Sequence, residues 1–540
     1  HKLLTGRQAD FARLRQYGGM AGFPKPSESD TDAFVAGHAS SSVSIALGMA
    51  RARTLRKEDH QVICVIGDGA ATGGMAYEGL NDAAVSGEPM VIVLNDNEMS
   101  IAPNVGGLSQ HLSRLRSKKG YLKLKQQYRK FLTGSRLGLG IYKVTRTMKE
   151  WLKKRLLQPT IFENMGLTYI GPVDGHDVTE LIHLLTLARD MNRPVLLHVH
   201  TQKGRGYGPA EQNPARFHGV GQFDPATGLS LSGKKTTFSE VFGNTLSELA
   251  ENDETVCAIT AAMPAGTGLA GFMKRFPRRT FDVGIAEEHA VSMAGGFAKQ
   301  GMVPVVAIYS TFLQRAYDQI LQDAAMLNLH VVFAIDRAGL VGEDGETHHG
   351  VFDVGFLRLV PGLTILTPAS TAELQEMLRW AVNVCEGPVA VRYPRGGDGV
   401  FTGSAWDPDS GVVAHRQGPD GAIVTYGTLV NQAIQAADIL AEQGISVSVV
   451  RLTKLNPISL SGIEAAICGH KTVLIAEEAT GGIGNFLAHQ LHEILPEARV
   501  SVADLGDEYV THGSVSELYQ KHGLDAKSLA GCFMEVLHEN

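Results

Sequence analysis

The chain has 540 residues, 44% hydrophobic and 19% charged, with 49 basic against 56 acidic side chains and a net charge of −7. At roughly 150 residues per domain this length holds three or four domains with real cores. No apolar run approaches the ~20 residues of a membrane-spanning helix, and the acidic balance argues against a general affinity for nucleic acid. Five cysteines (Cys64, Cys257, Cys385, Cys468, Cys532) are scattered without CxxC spacing. They predict neither a disulfide framework nor a zinc site, and fit a reducing, cytoplasmic compartment.

Along the chain, short β-branched runs alternate with helical patterns. Buried parallel strands are predicted at Val62–Ile66, Met90–Leu94, Val195–Val199, Val256–Ile259, Val303–Ile308, His330–Ile335, Val389–Arg392, Ala422–Thr425, Ile445–Val450, Thr472–Ala476 and Arg499–Ala503. Helices are expected at Thr371–Val384 and Asn431–Glu442. The alternation predicts an α/β chain of mainly parallel sheets flanked by helices. Ligands in such sheets bind beyond the carboxyl ends of strands, so chemistry is sought there. Two turn-rich stretches, Gly221–Lys235 and Gly396–Asp420, read as linkers and divide the chain at 1–235, 236–411 and 412–540. Arg114–Arg155 is an outlier, with fifteen Lys and Arg against one acid, which leaves −21 on the rest of the chain. A solvated helical excursion explains it better than a nucleic-acid or membrane-surface patch.

Two strands end in polar triplets: Gly67-Asp68-Gly69 and, after the next strand, Asn95-Asp96-Asn97. If these strands are neighbours, Asp68 and Asn97 offer hard oxygens to Mg²⁺, which favours a carboxylate, neutral oxygens and ligand phosphates. Gly69 and Ala70 follow at the expected helix start, where free amides can face a diphosphate. A lone Gly-Asp-Gly is more often a capped turn, but the paired triplets resemble the thiamine-diphosphate motif of transketolase-like enzymes. Such a cofactor needs a glutamate against its aminopyrimidine ring. Glu287, at a helix start in Phe281–His289 (FDVGIAEEH), is the candidate, with Glu288 its competitor.

Longer motifs narrow the resemblance. Val306–Gln319 (VAIYSTFLQRAYDQ), Ala334–Gly339 (AIDRAG), Asp344–His348 (DGETH) and Val391–Gly396 (VRYPRG) resemble the 1-deoxy-D-xylulose-5-phosphate synthase family. So do Gly37–Ser40, Asn95–Ser100, Gly171–His176 and Lys203–Tyr207, and the likeness runs from end to end. It implies a thiamine-diphosphate domain at 1–235, a pyrimidine domain at 236–411 and a C-terminal transketolase-like domain at 412–540. It also implies condensation of pyruvate with D-glyceraldehyde 3-phosphate, with loss of carbon dioxide, by a cytoplasmic homodimer serving isoprenoid and thiamine biosynthesis. By the same resemblance Asp68, Asn97 and the Met99 carbonyl hold Mg²⁺, assisted by Gly69 and Ala70. Gly37, His38 and Ala39 line thiamine diphosphate, Ile101 bends it, Tyr207 flanks its diphosphate end, Glu287 activates its pyrimidine and Phe312 stacks on it. Arg337 and Arg395 clamp the substrate phosphate, guanidinium forks suiting a dianion better than ammonium groups do, with Tyr309 and Arg315 nearby. Asp344, His348, His218 and His38 are the acid–base candidates around the reacting centre.

A transketolase moving two carbons without decarboxylation is the nearest rival, and a nucleic-acid-binding protein acting through 114–155 the rival from another class. Family members extend upstream of His1–Arg7 and carry a further histidine there, so the chain is expected to be a truncated piece. Where Ala21 stands, some relatives have a histidine, and that contact is not transferred.

Overall fold

A computed structural model describes residues 1–99, 104–117, 160–231, 233, 236–467 and 469–538. Ile101, Cys468 and all but the first residues of the basic stretch therefore lie outside the described residues. The chain folds as two compact units: a smaller one of Ala39–Ser232 with Gly284–Ala286, and a larger one of His1–His38, Gly233–Val283 and Glu287–Asn540.

The smaller unit contains a four-stranded parallel sheet. Its strands are β1 (Ile63–Gly67), β2 (Met90–Asp96), β3 (Thr168–Asp174) and β4 (Pro194–His200), in the order β1-β2-β4-β3. The two polar triplets are neighbours, because Gly67 pairs with Asn95 at the ends of β1 and β2. Helices Ser42–Arg56 and Gly74–Ser86 cover one face with Val43, Leu47, Ala76 and Leu80. Helix Val178–Asp190 covers the other with Leu184 and Ala188.

Two sheets build the larger unit. The first combines β5 (Val256–Thr260), β6 (Thr280–Asp282), β7 (Val303–Tyr309), β8 (Val332–Asp336), β9 (Thr364–Leu366) and β10 (Val389–Arg392). The second combines β11 (Val412–Arg416), β12 (Ala422–Tyr426), β13 (Ser448–Leu452), β15 (Thr472–Ala476) and β16 (Arg499–Ala503), while β14 (Lys454–Asn456) crosses to the first sheet and pairs antiparallel with β9. Every other pairing is parallel except that of β11 with β13. The central strands β5, β8, β12, β13 and β15 are buried at every position, which is why they read as largely apolar rather than alternating, with Arg451 and Asp336 as buried exceptions. Amphipathic helices cover them. Val430–Glu442 buries Val430, Ala433, Ala437 and Leu440 at three- and four-residue steps. Thr371–Asn383 is capped by Ser370, whose hydroxyl accepts the Glu373 amide at 3.1 Å.

The differences from expectation are local. The stretch Gly396–Asp420 is not wholly a linker, since β11 forms an antiparallel edge inside it. Gly69 and Ala70 do not open an α-helix: a 3₁₀ turn, Ala70–Thr72, intervenes and the helix begins at Gly74. The strand expected at Ile445–Val450 is displaced to Ser448–Leu452, because the preceding residues complete a turn whose Ile445 amide donates to Leu440 O at 3.0 Å.

The sheets of the larger unit are joined by a buried ion pair. Arg451 on β13 and Glu373 at the start of Thr371–Asn383 are both fully buried, with Arg451 Nη1 donating to Glu373 Oε2 at 2.9 Å. Glu373 also accepts the Ala369 and Ala405 amides, at 2.9 and 3.2 Å. Removing one partner strands the other charge, so Glu373→Ala should cost about 3–5 kcal/mol. The urea transition of the larger unit, followed by near-ultraviolet circular dichroism, measures it; a loss below about 1 kcal/mol would place the pair among weak surface bridges.

Candidate active site

In the smaller unit the β1–β2 register brings carboxylates and amides together. Asp68 is buried; its Oδ1 accepts the Gly69 amide at 3.0 Å and its Oδ2 the Glu98 amide at 2.7 Å. The Glu98 amide is shared with Asp96 Oδ1 at 3.2 Å, so two buried carboxylates face one another. Burial, then the Asp96 carboxylate, pushes the Asp68 pKa up. Such a pair is relieved by a cation. The half-buried Asn97 follows, its Oδ1 accepting the Met99 amide at 3.1 Å. One carboxylate, one amide and one carbonyl is a donor set suited to Mg²⁺ on a diphosphate. No cluster of three or more His, Cys, Asp or Glu suited to a metal occurs among the described residues, which separates this site from a zinc-type centre.

Behind Asp68 lies a chain that sequence reading missed. Asp96 Oδ2 pairs with His198 Nε2 at 2.9 Å, both fully buried, and His198 Nδ1 with Oη of the half-buried Tyr169 on edge strand β3 at 2.7 Å. Lys203 stands close enough to Asp68 to be affected by its charge, and donates to His218 Nδ1 at 2.8 Å. Partial desolvation and the Lys203 charge hold His218 below the ordinary imidazole pKa. Tyr207 packs against Phe217 and Phe223, its hydroxyl donating to Pro225 O at 2.8 Å. Ala39 precedes Ser40, a left-handed residue whose hydroxyl donates to Ala70 O at 2.7 Å. That places Ala39 and the Gly69–Ala70 turn in one neighbourhood.

The larger unit gathers most of the other predicted residues. Glu287 opens helix Glu287–Lys299, is 3% exposed, and carries no hydrogen bond on Oε2; the Arg315 guanidinium is 3.9 Å away. Burial raises its pKa to about 7, against partial compensation by its own backbone amide and Arg315. Glu288 is only half-buried, so burial distinguishes the two acids. Phe312, on Ser310–Leu313, stacks on Tyr309 at 5.8 Å and meets the edges of His38 at 5.0 Å and His348 at 5.6 Å. His38 Nε2 lies 2.8 Å from Thr347 O and 3.0 Å from Thr311 Oγ1. Gly37 packs so closely on Thr347 that a Cβ would lie 2.3 Å from its Oγ1.

His348 stacks on Phe23 at 4.8 Å, and burial lowers its pKa to about 4, leaving a neutral imidazole. Asp344 pairs with Arg15 and lies 3.8 Å from Arg395 Nη1. Burial alone would raise its pKa, but Arg15, His348 and Arg395 together hold it below the ordinary carboxylate range. Arg15 and Phe23 are more than three hundred residues distant in sequence, and no local pattern marks them.

Arg337 and Arg395 both emerge just beyond the carboxyl ends of β8 and β10, as predicted. They line one cavity of about 510 Å³ with Thr237, Ser239, Gly266 and Gly268. The Arg337 guanidinium lies 3.8 Å above the Tyr309 ring, and Arg395 Nη1 donates to Val341 O at 3.1 Å. Gly266 is obligatory, since a Cβ there would lie 1.7 Å from Tyr309 Oη. Beneath the cavity, Asp336 is fully buried with Oδ1 unpaired and Oδ2 accepting Ser239 Oγ at 2.6 Å. Burial raises its pKa to about 7.

Each unit, taken by itself, has one feature that suits the expected thiamine diphosphate. In the larger unit Glu287 keeps one buried carboxylate oxygen without a hydrogen bond, suited to a ring nitrogen; in the smaller, the crowded carboxylate of Asp68 suits a divalent cation. A pH-dependent consequence follows for Glu287. Its ordinary pKa of 4.5 rises to about 7 on folding, so its stabilising contribution is full below about pH 4.5 and is lost as pH rises through about 7. Glu287→Gln, which cannot ionise, should therefore raise the apoprotein Tm at about pH 8 and change it little at about pH 5. Calorimetry at both pH values checks this; the same offset at each would contradict it.

Comparison with known proteins gives the family. Residues 1–201 match the family described as "1-deoxy-D-xylulose-5-phosphate synthase", 234–397 match "Transketolase, pyrimidine binding domain" and 410–529 match "Transketolase, C-terminal domain". The chain is 45% identical over 544 residues to the 1-deoxy-D-xylulose-5-phosphate synthase of Clostridium kluyveri, covering 99% of this chain and 86% of the relative. It is 48% identical to that of Heliobacterium modesticaldum over 546 residues, covering 99% and 84%. Among solved structures, one titled "Split gene transketolase, inactive beta4 tetramer" aligns with a TM-score of 0.51 at 27% identity, over 56% of this chain and 99% of its own.

Proposed function

The chain belongs to the 1-deoxy-D-xylulose-5-phosphate synthase family, transferases of the transketolase type, and we propose that it joins pyruvate to D-glyceraldehyde 3-phosphate with release of carbon dioxide. The observation that carries the proposal is the Oε2 of buried Glu287, which has no hydrogen bond, in the same folding unit as the Arg337–Arg395 cavity. Bound thiamine diphosphate supplies the nucleophilic carbon and the electron sink that decarboxylation requires. The chain's own residues bind, orient and manage protons.

In this proposal Asp68, Asn97 and the Met99 carbonyl hold Mg²⁺ on the diphosphate, with Gly69 and Ala70 alongside and Lys203 adding positive charge. Tyr207 and Ala39 complete the cofactor's surroundings in the smaller unit, and the contact expected of Ile101 lies outside the described residues. In the larger unit Gly37, His38 and Phe312 serve the pyrimidine, and Glu287 Oε2 holds the proton shared with its ring nitrogen. A carboxyl with a pKa near neutrality suits that exchange. Arg315 is its counter-charge.

Arg337 and Arg395 take the phosphate of the aldehyde substrate. The Arg337 guanidinium is already oriented by Tyr309, and Arg395 by Val341 O and Asp344. Overall, the bond between the carboxylate and keto carbons of pyruvate breaks and its electron pair becomes the new bond to the aldehyde carbon. The aldehyde oxygen takes a proton, and His348 beside Asp344, His38 and His218 are the candidates in this proposal to deliver it. The family likeness also supports a cytoplasmic homodimer and a product entering isoprenoid and thiamine biosynthesis.

The test is release of carbon dioxide from pyruvate by the chain with thiamine diphosphate and Mg²⁺, with and without D-glyceraldehyde 3-phosphate. Strong stimulation by the aldehyde is expected. Two-carbon transfer between sugar phosphates without carbon dioxide would instead make it a transketolase. Arg395→Ala should raise KM for the aldehyde by about 10- to 100-fold, the scale of a lost charged hydrogen bond, with little change for pyruvate. Equal losses for both substrates would remove Arg395 from the phosphate clamp.

A further inference from the structure

The loop that carries Asp344 and His348 is held from outside its own sheet. It closes at a two-bond neck, with Gly339 N donating to Gly350 O and Gly350 N to Gly339 O, both at 2.8 Å. At that neck Glu478, just beyond the carboxyl end of β15, points its carboxylate into the backbone. Glu478 Oε1 accepts the Leu340 amide at 2.7 Å, and a Cβ on Gly339 would lie 2.6 Å from Glu478 Oε2. Gly339 has φ 79°, so the contact needs both glycine's conformation and its missing side chain.

Further contacts lie on the same side. The Thr480 amide donates to Val351 O at 3.0 Å. His349 Nδ1 accepts the Val341 amide at 3.1 Å, which leaves Nε2–H to donate to Thr511 O at 3.0 Å. Thus the β11–β16 sheet and its following turn grip the loop, although neither contributes a side chain to the cavity.

We propose that Glu478 is a positioning residue for the aldehyde substrate: it anchors the neck of loop Gly339–Gly350 and so fixes Asp344 and His348. The inference rests on the reading of that loop as part of the substrate site. Arg337 immediately precedes the neck, and Arg395 is tied to it through Val341 O, so displacement of the neck disturbs both guanidinium groups as well. Glu478 itself is surrounded by a finished structure. Arg392 lies near it, held bidentate by Asp353 at 3.0 and 3.1 Å, and the Tyr519 hydroxyl bonds to it. A carboxylate enclosed in this way, with one oxygen committed to a backbone amide, is a rigid anchor rather than a mobile charge.

The experiment uses the full chain with thiamine diphosphate and Mg²⁺ and compares Glu478→Ala, Glu478→Gln and Leu474→Ala. The last removes apolar packing from the cluster that also holds Leu340 and Val351, but takes away no hydrogen bond to the neck. Glu478→Ala should raise KM for D-glyceraldehyde 3-phosphate on the order of tenfold, leaving KM for pyruvate and cofactor binding unchanged. Amide exchange across 340–349 should speed by about tenfold in the same variant. Glu478→Gln, which keeps an acceptor for the Leu340 amide, should restore both, and Leu474→Ala should change neither. The proposal is overturned if Glu478→Ala leaves the aldehyde KM and loop exchange unaltered, if pyruvate KM rises in step, or if Leu474→Ala reproduces the effect. Failure of the functional reading would be seen separately, as absence of aldehyde-stimulated carbon dioxide release in the unaltered chain. The exchange contrast between Glu478→Ala and Glu478→Gln then still decides the anchoring.

Discussion

A parallel sheet points every strand the same way, so the residues that follow its strands are gathered along one edge whatever their separation in sequence. The rest of this structure depends on that constraint. It sets Asp68 beside Asn97 because Gly67 pairs with Asn95, and it brings Arg337 and Arg395 out side by side because Arg392 pairs with Ile335. Apolar strands bury themselves, and at the ends of β1, β2, β8 and β10 the polar residues that follow lie where a ligand crevice forms.

What the constraint assembles is electrostatically unfavourable in isolation. Glu287 and Asp336 are each buried with an unpaired oxygen, and Asp68 is pressed against Asp96. Groups of this kind are tolerated where stability is subordinate to binding. The contrast with Glu373 and Arg451 is instructive. They are buried as deeply but fully satisfied by each other and by backbone amides, and they join sheets rather than serve a ligand. Burial alone therefore does not separate the candidate site acids from a structural ion pair; what differs is how far their charge is compensated.

The sequence made the central strands legible because strands buried on both faces leave unbroken β-branched runs. It left β3, β6, β9, β11 and β14 obscure for physical reasons. β3 is interrupted by Gly171-Pro172, β6, β9 and β14 are three residues long, and β11 is a half-exposed edge. The site was legible where chemistry sits in a local motif, as at Asp68, Asn97, Glu287, Arg337 and Arg395. It was not legible where a partner arrives from far away. Arg15 on Asp344, Phe23 on His348 and Glu478 on Leu340 depend on tertiary contacts that no window of sequence contains. His198 and Tyr169 were hidden differently, as ordinary-looking members of strands whose polar side chains happen to meet inside the sheet.

Arg337 has φ 59°, a left-handed backbone that a side chain with a Cβ adopts at some cost. With its guanidinium lying on the Tyr309 ring, the residue has lost both backbone and rotamer freedom before any ligand arrives. Association with a phosphate then has little further ordering of this residue to oppose it. In the proposed phosphate clamp that stiffness acts as a ruler, since an anion whose oxygens sit off position meets a fork that will not turn to follow it. On that proposal, selection of a phosphorylated over a merely acidic aldehyde rests on one backbone torsion as much as on a charge.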